Sequence, residues 1–127
     1  MTIILEEVSR SSILKIEDFL LATPQEAMHD IAAIRFRDDI LRRLKDTKVN
    51  SLIIELSGID VIDSFMGRTI GEIANSANLI GAEVAMIGLR PDVAITMVEM
   101  GISLGNVYPH LNLDLALKFL RNQRRGG

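Results

Sequence analysis

The run Leu52–Leu56 constrains the fold more than any other part of the chain. Its aliphatic residues interrupted by a single glutamate are typical of a central strand that is covered on most of its area. A short polar loop follows, and then apolar residues recur at intervals of four and three: Met66, Ile70, Ile73, Ala77 and Ile80. This spacing predicts an amphipathic helix, so the segment indicates a strand that is joined to a helix packed against it.

The remaining patterns predict the element order β-β-α-β-α-β-α-β-α. Two short apolar segments, 13–16 and 19–22, are separated by Glu17-Asp18 at the spacing of a two-residue hairpin. Later strands are expected at 83–87 and 107–108, and helices start near Asp30, Ser64, Pro91 and Asn112. Strands that alternate with helices imply parallel neighbours, so we predict an α/β fold with a mixed, mostly parallel sheet of about five strands and about four helices.

Two of these helices have inner faces that the sequence assigns only by spacing. For the helix that starts at Asp30, the predicted stripe is formed by Ile31, Ile34, Leu41 and Leu44, with Phe36 and Ile40 flanking it. For the helix that starts at Pro91, the predicted inner residues are Ala94, Met97 and Val98.

Composition narrows the class of protein. The chain has 127 residues, 48% of them hydrophobic, with a net charge of −3 and only 4% aromatic residues, which argues against a nucleic-acid binder. It contains no cysteine, which excludes disulfides and thiol chemistry. No apolar run is long enough to span a bilayer and no signal peptide is evident, so we expect a cytoplasmic protein.

The expected organisation is an N-terminal extension over 1–10, one domain over 11–121 and a polar, disordered tail over 122–127.

Motifs for catalysis are missing from the sequence. It has no G-x-S-x-G, no phosphate-binding glycine loop and no H-E-x-x-H, and His29 and His110 are its only histidines. No cluster of His and carboxylates has the spacing of metal ligands. We therefore expect no enzymatic activity, no cofactor and no metal.

The pair Asp63-Ser64 stands where the loop enters the second predicted helix. It places a hydroxyl and a carboxylate at the positive end of the helix dipole, where a phosphate is well tolerated. Asp and Ser are also ordinary N-cap residues, and the pair alone favours a simple cap. No Glu or Gln follows three residues later, so a reciprocal capping box is absent.

The same helix carries Gly67 and Gly71, which should cost stability unless close packing requires them. They indicate either the close approach of a partner protein beside Ser64 or tight packing against a loop of the same chain. Arg68 is expected to point outward, where it could meet an acidic partner or a phosphate or simply be solvated.

Three segments together resemble the STAS family (sulfate transporter and anti-sigma factor antagonist). They are Ile62-Asp63-Ser64 before a helix, then Gly81-Ala82-Glu83-Val84, and then Gly88-Leu89-Arg90-Pro91. The resemblance covers roughly residues 11–120 and is strongest to the small stand-alone scaffold type of the bacterial stressosome. It implies that Ser64 is a phosphorylation site, with Thr96 as a second candidate, and that the protein is a scaffold for partner switching.

The resemblance also implies the partners. They are a serine/threonine switch kinase of the anti-sigma-factor type, which is released on phosphorylation, and larger STAS paralogues with sensory domains in a homo- or hetero-oligomer. The expected partner-binding residues are Asp63, Ser64, Gly67, Arg68 and Gly71. One alternative is a direct anti-sigma factor antagonist, and another is a small domain that binds an anion or metabolite at the loop around Gly58.

Overall fold

The computed structural model describes residues 12–25, 28 and 30–126. In this part of the chain the order of elements is the predicted one. The strands are β1 (Ser12–Ile16), β2 (Phe19–Thr23), β3 (Ser51–Glu55), β4 (Glu83–Ile87) and β5 (Val107–His110). The helices are α1 (Asp30–Thr47), α2 (Ser64–Leu79), α3 (Pro91–Glu99) and α4 (Leu113–Gly126). The predicted N-terminal extension, 1–10, and His29 lie outside the described residues.

The five described strands form one sheet in the order β1-β2-β3-β4-β5. The β1–β2 hairpin is antiparallel and the other three pairs are parallel, which confirms the predicted mixed sheet. In β3, Leu52, Ile53 and Ile54 are all fully buried, as expected for a central strand. Leu52 and Ile54 join the larger core cluster, whereas Ile53 joins the smaller one.

These two clusters define the layers of the domain. The larger cluster contains residues of α1, α2 and α3, so these three helices cover one face of the sheet. The smaller cluster contains Ala116 and Leu120 of α4, which therefore covers the opposite face. The loop that leads to Ser64 starts at the carboxyl end of the central strand β3, between these two layers of helices.

The inner faces predicted for α1 and α3 need correction. In α1 the buried residues are Ala33, Phe36, Ile40 and Leu44, whereas Ile31 is 66% exposed and Ile34 is 38% exposed. The helix is rotated so that its aromatic residue packs on the sheet, because the large Phe36 side chain buries more apolar area than Ile31 would. In α3 the inner residues are Val93 and Met97, and Val98 is 75% exposed.

The C-terminal end of α2 and the N-terminal end of α4 are formed by residues that commonly end and cap helices. The apolar stripe of α2 is buried from Met66 to Ala77, but Ile80 is exposed because it is already the C-cap of the helix. Gly81 follows with a φ of +93°, a conformation that favours glycine after a helix end. The Asn112 side chain accepts a hydrogen bond of 3.0 Å from the backbone N–H of Leu115, so the predicted cap of α4 is confirmed.

Helix α4 is also held against the hairpin. Arg121 pairs with Glu17 at 2.6 Å, and its guanidinium lies 5.8 Å from the centre of the Phe19 ring. The backbone of α4 stays helical through residue 126, where the sequence analysis expects a disordered tail from 122 onwards. Several residues of this segment are good helix formers, so the helix can extend beyond its last apolar contact at Leu120.

The two edges of the sheet have different chemistry. Strand β5 contains Pro109, which pairs with Met86 and has no backbone N–H. Strand β1 carries the exposed Lys15 at the other edge. None of the helices that the structure describes is both long enough and apolar enough to cross a membrane.

Candidate functional site

The loops that follow β3 and β4 meet at the carboxyl edge of the sheet. The Leu56 N–H donates to the Ile87 carbonyl at 2.9 Å, which continues the strand pairing into these loops. Gly88 has a φ of +70°, and a Cβ there would lie 2.6 Å from the Cβ of Ser57. The two loops are therefore packed so closely that only glycine fits at position 88.

Arg90 and buried aliphatic residues hold the loop that leads to α2. The Arg90 guanidinium pairs with Asp60 at 2.9 Å and donates to the Ser57 carbonyl at 3.4 Å. Ile59 and Ile62 are buried beneath the same loop. The Asp60–Arg90 pair was not predicted from the sequence, although a basic residue just before Pro91 could have suggested a contact between the two loops.

Asp63 is the N-cap of α2, as one of the two interpretations of the sequence proposed. Its backbone is extended, with φ −92° and ψ 172°, and its carboxylate accepts a hydrogen bond of 2.7 Å from the Met66 N–H. Ser64 is the first residue of the helix and is exposed. Among the described residues the Ser64 hydroxyl has no hydrogen-bond partner, so capping by Asp63 leaves it accessible.

A row of exposed polar residues runs along α2 from this point. It consists of Ser64, Arg68 and Glu72, each four residues after the one before. Glu72 pairs with Arg37 of α1 at 3.1 Å, and Arg37 also bonds Asp38 at 3.2 Å. These hydrogen bonds, that of Asp38 first, raise the pKa of Arg37. Arg68 forms no ion pair with any residue in the described part of the chain.

A shallow groove lies between α1 and α2 beside this row. Its volume is about 260 Å³ and its lining combines apolar and charged side chains: Ile34, Arg37, Phe65, Arg68, Thr69 and Glu72. The groove is adjacent to Ser64 in the chain, so a protein bound at Ser64 would also reach these side chains.

Gly67 and Gly71 lie on a different face of α2 and are buried. A Cβ at position 67 would lie 2.5 Å from Cδ1 of Ile102, and one at position 71 would lie 3.0 Å from the Ser103 carbonyl oxygen. The second interpretation of these glycines therefore fits: a loop of the same chain approaches the helix. The contact face expected for a partner at Gly67 and Gly71 is occupied by that loop.

Thr96 lies on α3, not on the helix of Ser64. Its hydroxyl donates to the Asp92 carbonyl at 2.9 Å, one turn earlier in the same helix, and the side chain is half-buried. The structure thus groups Asp63, Ser64 and Arg68 on one exposed end of α2 and leaves Thr96 outside that group.

The structure describes one of the two histidines of the chain, His110. His110 ends β5 and packs against Phe119 of α4, with ring centres 4.9 Å apart. Residues 12–25, 28 and 30–126 contain no group of three or more His, Cys, Asp or Glu residues that could hold a metal ion.

Comparison with known proteins decides the family. The STAS domain family matches residues 11–113, which is most of the chain. The chain belongs to the STAS family. The predicted family and fold are therefore confirmed, and the whole region that carries the Ser64 turn falls within the match.

Two solved structures are similar over nearly their whole length. A variant of RsbS from Moorella thermoacetica, in which a serine is replaced by glutamate, is 34% identical with a TM-score of 0.82, covering 92% of this chain and 99% of that one. A chain from a structure described as the molecular architecture of the stressosome, a signal integration and transduction hub, is 35% identical with a TM-score of 0.81. It covers 90% of this chain and 99% of the other.

The curated relatives named as RsbT co-antagonist proteins are longer than this chain. The RsbT co-antagonist protein RsbRB of Bacillus subtilis is 33% identical over 82 residues, which are 65% of this chain and 30% of that protein. The chain thus spans about 30% of the length of this relative. The anti-sigma factor antagonist SpoIIAA is 9% identical with a TM-score of 0.68, so it shares the fold.

Proposed function

We propose that this protein is a phosphorylation-regulated scaffold of a stressosome-type signalling complex. It retains a serine/threonine switch kinase and releases that kinase when Ser64 is phosphorylated. One observation carries the proposal: the Ser64 hydroxyl is exposed and unbonded within the described residues, at a turn fixed by the Asp63 cap and by Arg90. The similarity to stressosome chains over nearly their whole length supports it.

The geometry of the turn suits a reversible switch. Phosphorylation adds a charge of about −1.5 to −2 at pH 7, and the start of α2 favours negative charge. The Asp63 carboxylate is already bonded to the Met66 N–H, so the phosphate need not replace the cap. We therefore expect phosphorylation to change the surface that a partner meets while the domain stays folded.

The partners follow from the relatives by analogy. The Bacillus proteins are named as co-antagonists of RsbT, and the stressosome is named as a signal integration hub, so both act through other proteins. We propose that this chain binds a kinase of the anti-sigma-factor type and co-assembles with larger STAS paralogues in the cytoplasm. It needs no catalytic activity or cofactor of its own for this role.

A binding assay with a charge control tests the proposal. The baits are the wild type, Ser64→Ala, Ser64→Asp and Thr96→Asp, each checked for folding by circular dichroism, in cytosol of the source cell. We expect the kinase, identified by mass spectrometry, to be retained by all baits except Ser64→Asp. Equal retention by all four folded baits would show that Ser64 is only part of a helix end.

Size measurements separate the alternatives. Co-elution with a larger STAS paralogue in a high-mass complex supports the scaffold role, whereas a small complex with an anti-sigma factor supports the direct antagonist. If neither forms and a phosphorylated metabolite raises the melting temperature, the loop around Gly58 is an anion site instead.

A further inference from the structure

The exposed row on α2 places a cation one helical turn from the proposed phosphorylation site. Residues four apart on a helix are neighbours, with Cβ atoms about 5–6 Å apart. Long side chains on a helix commonly lean toward its N-terminus, so an ordinary rotamer of the exposed Arg68 side chain would lie over the turn that carries Ser64. A guanidinium at this position can therefore reach an oxygen atom attached to residue 64.

Arg68 lies between Ser64 and Glu72 in this row, and Glu72 already has a partner. Glu72, one turn later, is paired with Arg37 at 3.1 Å. Arg37 is itself held by Asp38 at 3.2 Å, so α1 supplies the cation that neutralises Glu72. Arg68 has no ion pair within the described residues and remains available toward Ser64.

The nearby carboxylates do not compete for Arg68 either. Asp63 accepts from the Met66 N–H at 2.7 Å, and Asp60 is paired with Arg90 at 2.9 Å. Both carboxylates would nevertheless repel a phosphate on Ser64. A free guanidinium beside the site offsets this repulsion.

We infer that Arg68 is an intramolecular receptor for the phosphate on Ser64. This inference rests on the proposed function, which supplies the phosphate. An acidic group four residues before a basic one is the favourable orientation on a helix. A guanidinium can also donate two parallel N–H bonds to phosphate oxygens, which an ammonium cannot match in geometry.

The pairing changes the partner surface in two ways at once. Before phosphorylation, this end of α2 presents a neutral hydroxyl and a free cation that can contact an acidic group of the kinase. After phosphorylation, the hydroxyl becomes a dianion, and Arg68 turns back onto it. The kinase therefore loses the Arg68 contact in addition to facing the new charge, which makes release more complete than charge alone would.

The test measures the second pKa of phosphoserine at position 64 by 31P NMR. Phosphoserine is installed during translation in the full chain, so no kinase is needed. The variants are Arg68→Gln, Arg68→Lys and, as a matched control, Arg42→Gln, which removes an exposed arginine of α1 that pairs with Asp39 at 2.9 Å. Folding of each is checked by two-dimensional NMR.

We expect Arg68→Gln to raise this pKa, which is about 6 for free phosphoserine, by about 0.1 to 0.4 relative to the wild type. Arg68→Lys should raise it less, Arg42→Gln should leave it unchanged, and 1 M salt should reduce the differences. Equal values for Arg68→Gln and Arg42→Gln would overturn the inference. If the unphosphorylated wild type did not bind the kinase, the proposed function would be contradicted instead. The two outcomes are distinguishable because the NMR measurement does not involve the kinase.

Discussion

Two faces of α2 carry residues with the same spacing and have opposite environments. Gly67 and Gly71, four residues apart, are buried against the loop at 102–103. Ser64 and Arg68, also four apart, are exposed at the start of the helix. The buried pair fixes the position of the helix, and the exposed pair can change its charge without moving it. The proposed phosphorylation site thus lies on a helix that is fixed by packing on another of its faces.

The comparison also shows why spacing alone misassigned the glycines. In the sequence all four residues fall within one short segment, and the expected partner surface included both pairs. Helix periodicity separates the two faces, but it does not say which face a distant loop will cover. Residues 102–103 lie more than 30 positions later, and only the folded chain brings them to α2.

The largest expected effect is the loss of stability that follows substitution of Gly71. In Gly71→Val the new side chain meets the Ser103 carbonyl and Cγ2 of Ile102, which lie 3.0 and 3.1 Å from the Cβ position. We expect the free energy of unfolding to fall by about 2–3 kcal/mol in urea denaturation, as for other overpacked sites. The control Arg68→Val, on the exposed face, should lose less than about 1 kcal/mol. Equal losses would mean that the glycine face is not held as described.

The next effect concerns kinase affinity. Ser64→Asp should weaken binding of the purified kinase at least about tenfold, or about 1.4 kcal/mol, in a titration calorimeter. Gly67→Ala should leave the affinity unchanged, because the one atom that its Cβ would crowd is Cδ1 of Ile102, the far end of a flexible side chain. A folded Gly67→Ala variant that no longer bound the kinase would show that the glycine face is part of the surface that contacts the partner.

Removal of the Asp63 cap should have a smaller effect. Asp63→Ala leaves the Met66 N–H without its side-chain acceptor and should lower the free energy of unfolding by about 1 kcal/mol. Asp63→Asn keeps an acceptor oxygen and should recover most of this loss in the same urea experiment. If Asp63→Ala were as stable as the wild type, the turn before Ser64 would be fixed by Arg90 and the buried isoleucines alone.

The smallest expected effect tests whether Glu72 and the phosphate on residue 64 compete for Arg68. In Arg37→Gln, Glu72 loses its partner from α1 and becomes free to pair with Arg68. Competition for Arg68 should raise the second pKa of phosphoserine 64 by about 0.1 to 0.3, measured by 31P NMR. Arg42→Gln is again the control. No difference between the two variants would show that Glu72 and the phosphate do not share Arg68.

Most of the fold follows from local patterns. The β-branched run of β3 and the regular stripe of α2 are long enough to fix their type, and Gly81 and Asn112 mark helix ends by rules that act within a few residues. The predicted inner faces of α1 and α3 were wrong because each of these helices carries aliphatic residues on more than one side. Ile31 and Val98 are as apolar as the residues that are buried, and the contact with the sheet decides between them.

The candidate site was predictable to the same extent. Asp63 and Ser64 act within one turn, so sequence placed them correctly at the start of the helix. The Asp60–Arg90 and Arg37–Glu72 pairs join residues 30 and 35 positions apart, and apart from the basic residue before Pro91 no local pattern indicates them. The family resemblance, not the spacing, identified Ser64 as a phosphorylation site, and that role remains a prediction.

Pro109 has a consequence for how copies of this domain can meet. Proline is tolerated in an edge strand where its nitrogen faces away from the neighbouring strand, so the outer side of β5 lacks one donor of a regular ladder. The opposite edge carries Lys15, whose charge disfavours a further strand. Growth by end-to-end extension of the sheet is thereby discouraged at both sides. Association between copies of this domain is thereby left to its helices and loops.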